Sequence, residues 1–567
     1  MPILGVLSQN PQIDIVSILD INYFSTIPDP PPESFILSVD WSKAYDRVSH
    51  SWLDLLLNSI FPPSFVYLTQ CSYHNRSTSF QLNSSLSPSL PIHQGVPQGD
   101  PFSPLLFNLS IEPLFNYIRS FPTLIIRAYA DDTTIFGHSI NDYYLLQQIF
   151  SLYQSCTAGT INLQKSSIFP LSPLSFPSLP PDSPPIVSSL NILGFLLPIN
   201  SSNTSILWQS LLNKIRRCLS TLSSRHLSLK GRILVTKSLI LSKVWYQVPI
   251  SPPPADIQRT IQSLINSYIW NKSHVHPSFE VSTLPLLSGG INFPDFSSEC
   301  HIRIANLIAQ CFNPEPPIWI KCLNLLTLNS FQKSLPNLIL NNIAPYSAPY
   351  PIKSILSSAK KIHLRSPLIL TTSPSLPSLR NIMHYNSPLP LSPFSPSHYI
   401  GPLSWKEIHN PNYPRKVSDL LWKIAHQILP IGLAVSKICP SSSSCPWCHH
   451  FPLSISHLFH SCSHASLIWS PIIQLCKYFH RHSNPSTLLH SPLLKKFRFT
   501  ARLLISAALW TIWTDYTSYA FSHSPLSSSD QSLNSLLSSL ITYRHLHPPT
   551  PHWPSPSQIT GIILYSH

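Results

Sequence analysis

The rhythm of apolar positions changes along this chain. Phe35-Ile36-Leu37-Ser38-Val39 is a short apolar run of strand composition that leads directly into Asp40. Trp52–Ile60 has helical spacing and stops at Pro62; Phe102–Arg119 is a second helical stretch, entered through Pro101. Leu124-Ile125-Ile126 and Thr133-Thr134-Ile135-Phe136 are strand-like, and Asp131-Asp132 between them marks a hairpin. Leu207–Ser224 and Leu227–Trp245 read as two amphipathic helices. Helical patterning continues over 255–340 and returns over 405–520. Pro and Ser crowd 170–185, 345–404 and the end of the chain after 523, predicting a loop, a linker and a tail.

A length of 567 residues, 43% of them hydrophobic, suits three or four units at roughly 100–200 residues each. Apolar blocks this regular exclude a uniformly disordered chain. The longest apolar run, Leu503–Trp513, is about half of what a bilayer needs and is bounded by Arg502 and Asp515, so no membrane span is expected. Nor does the start of the chain read as a secretory signal. Lys plus Arg is 36 against 22 Asp plus Glu, a net charge of +14 that suits nucleic acid or an acidic membrane surface. Much of the excess is concentrated. Lys214, Arg216, Arg217, Arg225, Lys230, Arg232, Lys237 and Lys243 lie in an interval without a single acid between Asp182 and Asp256. A one-sign surface of this kind tracks a phosphate backbone better than it solubilises a domain, although charges on a helix are most often a solvated face.

Candidate chemistry sits in two places. Adjacent carboxylates at a hairpin between apolar strands are costly unless a cation neutralises them, and Asp40 at the end of another strand would complete an oxygen-lined site. Asp is also an ordinary turn residue, so the dipeptide alone decides nothing. Between the acids lies Gln94-Gly95-Val96-Pro97-Gln98-Gly99-Asp100-Pro101, whose glycines allow backbone to approach a ligand closely. Farther on, Cys445, Cys448, His457 and Cys462 have the spacing of a four-ligand structural zinc site. Cys439, His449, His460 and His464 are substitutes for any of them. The eleven Cys otherwise read as buried thiols.

Taken together, these segments resemble the reverse transcriptases of LINE-type, non-LTR retrotransposons. Phe35–Val48 (FILSVDWSKAYDRV), Gln94–Leu109 (QGVPQGDPFSPLLFNL) and Ala128–Phe136 (AYADDTTIF) resemble motifs A, B and C of that family; Asn162–Lys165 resembles motif D and Ile192–Phe195 motif E. Leu227–Arg232 and Gly289–Asp295 resemble its thumb and post-thumb signatures. The Cys/His cluster is similar to the zinc-binding segment that follows many of these polymerases, with Ser454 and Ser456 where the family often has Glu.

The resemblance implies an α+β fold: a polymerase palm with a ferredoxin-like antiparallel sheet, a helical thumb, a helical connector and a small zinc-binding module. The matching division is 1–34 for a finger remnant, 35–200 for the palm, 201–340 for thumb and post-thumb, 341–404 for the linker, 405–522 for the zinc-binding helical module and 523–567 for the tail. It implies RNA-directed DNA synthesis by two-metal nucleotidyl transfer to a primer 3′-OH. Asp40 and Asp131 would hold two Mg²⁺ ions with Asp132 assisting. Tyr45 would select deoxynucleotides, Gln98 and Gly99 would line the nucleotide pocket, and Lys165 would sit near the pyrophosphate. Leu193 and Gly194 would grip the primer end, and Lys214, Arg216, Arg217, Lys230, Arg232 and Lys237 would contact nucleic acid. Implied partners are an RNA template, a DNA primer and deoxynucleoside triphosphates, with no membrane; the implied location is the nucleus. Only 39 residues precede Asp40, and residues 1–42 contain no Lys or Arg to meet a triphosphate. A truncated element, weakly active or inactive, is therefore expected. The alternative is a non-catalytic nucleic-acid-binding remnant using the basic thumb and zinc module; a maturase-like relative fits the motif wording less well.

Overall fold

The computed structural model describes residues 30–172, 176–198, 201–271, 275–312, 352–366, 370, 375–385, 405–410, 413–432, 443–480, 499–522, 524–546 and 555–564. Expectations for 1–29, 313–351, 386–404 and Cys439 lie outside the described residues. Two compact units emerge: residues up to Ser210 with Gln247–Pro254 and Arg303–Leu376, and Leu211–Tyr246 with Ala255–Ile302 and Pro377 onward.

The first unit is built on a four-stranded antiparallel sheet in the order Leu124–Tyr129, Asp132–Gly137, Phe35–Val39, Ser167–Pro170. Helix Ser103–Arg119 precedes the hairpin and helix Ile140–Thr157 precedes the last strand. Strand, helix, two strands, helix, strand, with the first strand inside the sheet, is the ferredoxin-like arrangement. Phe35–Val39 is paired on both sides, which explains a sequence apolar on nearly every residue. Phe35, Leu37, Val39 and Ile135 pack with Leu106, Phe115 and Ile118 of one helix and Leu146 and Ile149 of the other. The helix Ile140–Thr157 starts at a capping box between Ser139 and Asp142. Asp142 is buried yet satisfied, accepting from Thr123 Oγ1 at 2.7 Å and the His138 N–H at 2.8 Å.

In the second unit the expected helix Leu227–Trp245 is broken into helix Leu229–Val235, a wider π-helical turn Thr236–Ile240 and a 3-10 turn Leu241–Lys243. Thr236, Ile240 and Val244 along this segment are all buried. Helix Phe499–Ser522 is buried on all sides over most of its length, with Arg502, Ser506, Thr511 and Asp515 among its buried side chains. Among the described residues no helix is long and apolar enough to cross a membrane.

Two expectations need correcting. The stretch expected as a linker contains helices Ile352–His363 and Leu376–Tyr385, with Leu356, Ala359 and Ile362, and Leu379 and Met383, buried at helical spacing. The stretch expected as a tail contains helices Ser529–Leu546 and Pro556–Leu564, which bury Leu533, Leu536, Leu540 and Tyr543, and Ile559 and Ile563. In both, Ser and Pro dominate the composition while a few large residues carry the period, so composition misled where spacing did not.

Candidate active site and metal cluster

Asp40 follows the last residue of the central strand, and Asp132 opens the neighbouring one. Val39 faces Thr133 in the antiparallel register, so one further step sets Asp40 opposite Asp132. Trp41 Nε1 ties that end of the sheet by donating to Thr133 Oγ1 at 3.1 Å. Asp131 lies in the two-residue turn closed by Tyr129 and Asp132, where Ala130 takes φ 54. Asp131 and Asp132 are exposed and Asp40 is half-buried, so the carboxylates open to solvent at one sheet end. Partial burial, and then the charges of Asp131 and Asp40, push the Asp132 carboxyl up from its ordinary value. That crowding of like charge is what a divalent cation relieves, and oxygen donors of this kind fit a hard ion such as Mg²⁺. Among the described residues, however, the one group of His, Cys, Asp or Glu with ligand atoms all within 4.8 Å of one another is the Cys/His cluster. The three acids share one end of the sheet.

Tyr45 is stacked on Phe107, ring centroids 4.7 Å apart and planes 20° apart. Burial, with the nearby Asp131 carboxylate second, raises its phenol. The glycine-rich loop lies along the turn that carries Tyr45: Val96 N–H donates to Tyr45 O at 2.9 Å and Gly95 N–H to Val48 O at 2.8 Å. A Cβ on Gly95 would stand 2.7 Å from Asp46 O, and its φ is +85, so both space and backbone demand glycine. Gly99 has φ +94 with nothing within 4 Å, and Gln98 is exposed, its amide near Asp46 at 3.4 Å. Asp100 then steadies the entry to the following helix, its carboxylate accepting the Phe102 N–H at 2.8 Å. Lys165 is exposed in a turn anchored beneath Asp40, since Asn162 N–H donates to Asp40 O at 2.8 Å. Leu193 (φ 49) and Gly194 (φ 82) form the tight turn of the hairpin Leu190–Ile192 with Phe195–Leu197, a turn that needs positive φ at both places.

Motif reading missed two residues here. His50 Nε2 and Arg76 Nη2 both donate to Gly95 O, at 2.8 and 2.6 Å, and so hold the loop from the side opposite Tyr45. No spacing rule marks them; only the fold brings them together.

The expected basic surface divides. Lys214, Arg216, Arg217 and Lys237 are exposed, but burial of its ammonium lowers Lys237, with the Glu299 carboxylate opposing that shift. Lys230 Nζ instead donates to Ser418 Oγ at 2.6 Å, and Arg232 donates to the carbonyls of Leu227 and Tyr268. Burial lowers Lys230, while the Asp419 carboxylate opposes that shift. The expected phosphate-contacting role of Lys230 and Arg232 therefore gives way to internal bonds.

Cys445, Cys448, His457 and Cys462 converge. Cys445 Sγ is 3.5 Å from Cys462 Sγ, Cys448 Sγ is 3.1 Å from His457 Nε2 and 4.0 Å from Cys462 Sγ, and all three thiols are free. Hydrogen bonding with the Cys445 thiol pulls Cys462 below its ordinary value. Three sulfurs and an imidazole at these separations fit a tetrahedral zinc site. The chain positions them through a turn at 445–450, where Cys445 N–H donates to His450 O and His449 N–H to Cys445 O, and through Cys462 N–H donating to His457 O at 3.0 Å. Of the substitutes, His464 is committed to Asp515 instead.

The family described as reverse transcriptase (RNA-dependent DNA polymerase) matches residues 11–197, and the one described as zinc-binding in reverse transcriptase matches residues 397–469. The Transposon TX1 uncharacterized 149 kDa protein of Xenopus laevis is 28% identical over 301 residues, covering 50% of this chain and 23% of that protein. The retrovirus-related Pol polyprotein from type-2 retrotransposable element R2DM of Drosophila melanogaster is 34% identical over 116 residues, covering 18% of this chain and 11% of that protein. The chain thus spans less than a quarter of the length of either relative. A solved telomerase from Candida albicans, in complex with a TWJ fragment of telomeric RNA, shares 13% identity over 59% of this chain and 52% of that chain, at a TM-score of 0.26 that is too low to weigh. Ordered motifs, the palm-type sheet and both family matches agree: residues 11–197 are similar to reverse transcriptases, residues 397–469 to the zinc-binding segment that occurs in them, and both curated relatives are proteins of transposable elements.

Proposed function

We propose that this chain copies an RNA template into DNA by extending a primer 3′-OH. The observation that carries this reading is the meeting of Asp40, Asp131 and Asp132 at one open sheet end, in a domain of the reverse transcriptase family. Two divalent cations of the Mg²⁺ type, when bound, would make the 3′-oxygen a better nucleophile and neutralise charge on the departing pyrophosphate. Asp40 and Asp131 would hold them, with Asp132 assisting. Tyr45, kept in place by Phe107 and the Val96 N–H, would lie under the sugar and exclude a 2′-OH. Gln98 and Gly99 would line the deoxynucleoside triphosphate pocket, with open space around Gly99. Lys165 would serve the pyrophosphate, giving a proton to the leaving oxygen. Leu193 and Gly194 would support the primer end, and exposed Lys214, Arg216, Arg217 and Lys237 would follow the phosphate backbone of template and primer. Cys445, Cys448, His457 and Cys462 would hold one structural Zn²⁺.

Primer extension on an RNA template with Mg²⁺ tests the reading. Wild type is expected to incorporate deoxynucleotides only weakly, Asp131→Asn to lose that incorporation while binding template and primer as before, and Tyr45→Ala to admit ribonucleotides more readily. Binding without any incorporation by wild type would sink the polymerase reading for this chain and favour the non-catalytic nucleic-acid-binding alternative.

A further inference from the structure

We propose that Trp447, His464 and Asp515 form a buried strut through which the Cys/His cluster and the C-terminal helices hold each other in position. The inference rests on the zinc reading above and concerns residues outside the ligand set. Trp447 stands between Cys445 and Cys448, so its indole and the two sulfurs move as one turn. That indole lies flat on the His464 imidazole, ring centroids 4.0 Å apart and planes 2° apart. His464 Nε2 meets Asp515 Oδ2 at 3.1 Å, with side-chain exposures of only 5% and 9%. Asp515 belongs to helix Phe499–Ser522, and its carboxylate also accepts from Ser532 Oγ at 2.6 Å and Ser527 Oγ at 3.3 Å. Ser532 lies fully buried in the next helix, Ser529–Leu546. The path from thiols to helices is therefore continuous: a peptide turn, a ring stack, a charged hydrogen bond and two hydroxyl bonds.

Its polarity argues for a role beyond filling space. Burying an imidazole–carboxylate pair sacrifices hydration that apolar side chains of the same volume would not need, and such pairs add little stability on balance. What they do impose is geometry, because each donor and acceptor must stay in line or be left unpaired. A metal site needs this, since its ligands must be held to about half an ångström by neighbours that are themselves locked. Trp447 gives the turn a flat surface to register against, and Asp515 fixes the ring that supplies the surface. Asp515 and His464 are thus positioning residues for the cluster, and the helices at 499–546 belong to the zinc module.

The test uses the full chain purified with zinc. Metal content is measured first, then zinc release to a chromophoric chelator and backbone amide hydrogen exchange. Asp515→Asn and Trp447→Leu are expected to release zinc about tenfold faster than wild type, in line with the effect of outer-shell partners elsewhere. Ile505→Val, a buried change in the same helix almost three turns before Asp515, is expected to release it at the wild-type rate. That control separates positioning from general loss of stability. Chelation of wild type is expected to raise exchange across 529–546, and Asp515→Asn to raise exchange at 445–448 even with zinc bound. Wild-type protein that holds zinc, together with strut variants that release it no faster than Ile505→Val, would overturn the coupling alone. Wild-type protein purified without zinc would overturn the zinc reading and the coupling with it.

Discussion

Asp419 Oδ2 accepts the backbone N–H of Leu229 at 2.7 Å, across 190 residues of chain. Leu229 is the first residue of a short helix whose leading N–H groups have no intrahelical partner, and a carboxylate there complements both the free donor and the helix dipole. The same carboxylate faces Lys230 and Lys423. Burial raises Asp419 and lowers both lysines, so each ion of the group is tolerable only beside the others. Asp419→Ala should destabilise the second unit by about 3 kcal/mol, because it strands two buried ammonium groups. Asp419→Asn should cost less, since its amide oxygen still accepts the Leu229 N–H. Urea unfolding of the two variants measures this; equal midpoints would sink the account.

The two loop glycines should respond differently to one methyl group. Gly95→Ala drives a Cβ to 2.7 Å from Asp46 O at a positive φ, so the Tyr45 turn must shift. A loss of about 2–4 kcal/mol and of primer extension is expected. Gly99→Ala meets no atom within 4 Å and bears only the left-handed backbone, about 1–2 kcal/mol. Thermal unfolding beside extension assays gives the comparison.

Exposed and occupied cations should separate by salt. Replacing Lys214, Arg216 or Arg217 by Ala should weaken binding to a primer–template and lower the slope of log K against log salt by roughly 0.9 per lost phosphate contact on a duplex. Stability should barely change, because these side chains are solvated. Lys230→Ala and Arg232→Ala should do the reverse: lower stability, with the slope held near wild type. Binding isotherms at several salt concentrations decide it.

Acid should loosen the second unit through two histidines. Burial, and after it the Lys230 ammonium, push His409 down to about 4. Burial also lowers His426, whose Nε2 donates to Gly289 O at 2.8 Å. Both rings are neutral when folded and bind protons more readily when unfolded. The stability this gives is complete above the ordinary value of 6.5 and drains away as pH falls toward about 4. The expected loss from His409 is about 1–2 kcal/mol, discounted for the part of the ring that water reaches. His409→Gln should flatten the fall in urea midpoint between about pH 7 and 5; an unchanged slope would count against the assignment.

Much of the candidate site was legible because its chemistry is written over short distances. Two acids in a hairpin, an acid ending an apolar strand, a glycine-rich entry to a helix and a CxxC pair with His and Cys beyond it each lie within a few residues, where backbone geometry alone sets spacing. Gly289 and Gly290 stood out as a motif too, but their reason is tertiary. Trp405 lies against the first, which a Cβ would meet at 2.7 Å, and the carbonyl of Leu284 lies 2.0 Å from where the second would place one.

Local order, then, came from the chain itself: the palm strands, the carboxylate turn and the metal-ligand spacing all follow from periodicity and from side-chain chemistry at fixed offsets. Tertiary structure decided which charges face water and which face one another. The acid-free interval 183–255 looked uniformly available to phosphate until Asp419 met Leu229 and Ser418 met Lys230, from 190 and 188 residues away. His464, a spare ligand by spacing, was claimed by Asp515, and Ser-rich segments became helices because a few Leu, Ile and Tyr side chains found a core to enter. Periodicity is a property of neighbours along the chain, whereas burial and ion pairing belong to contacts between distant segments, and these exist only once the chain has closed on itself.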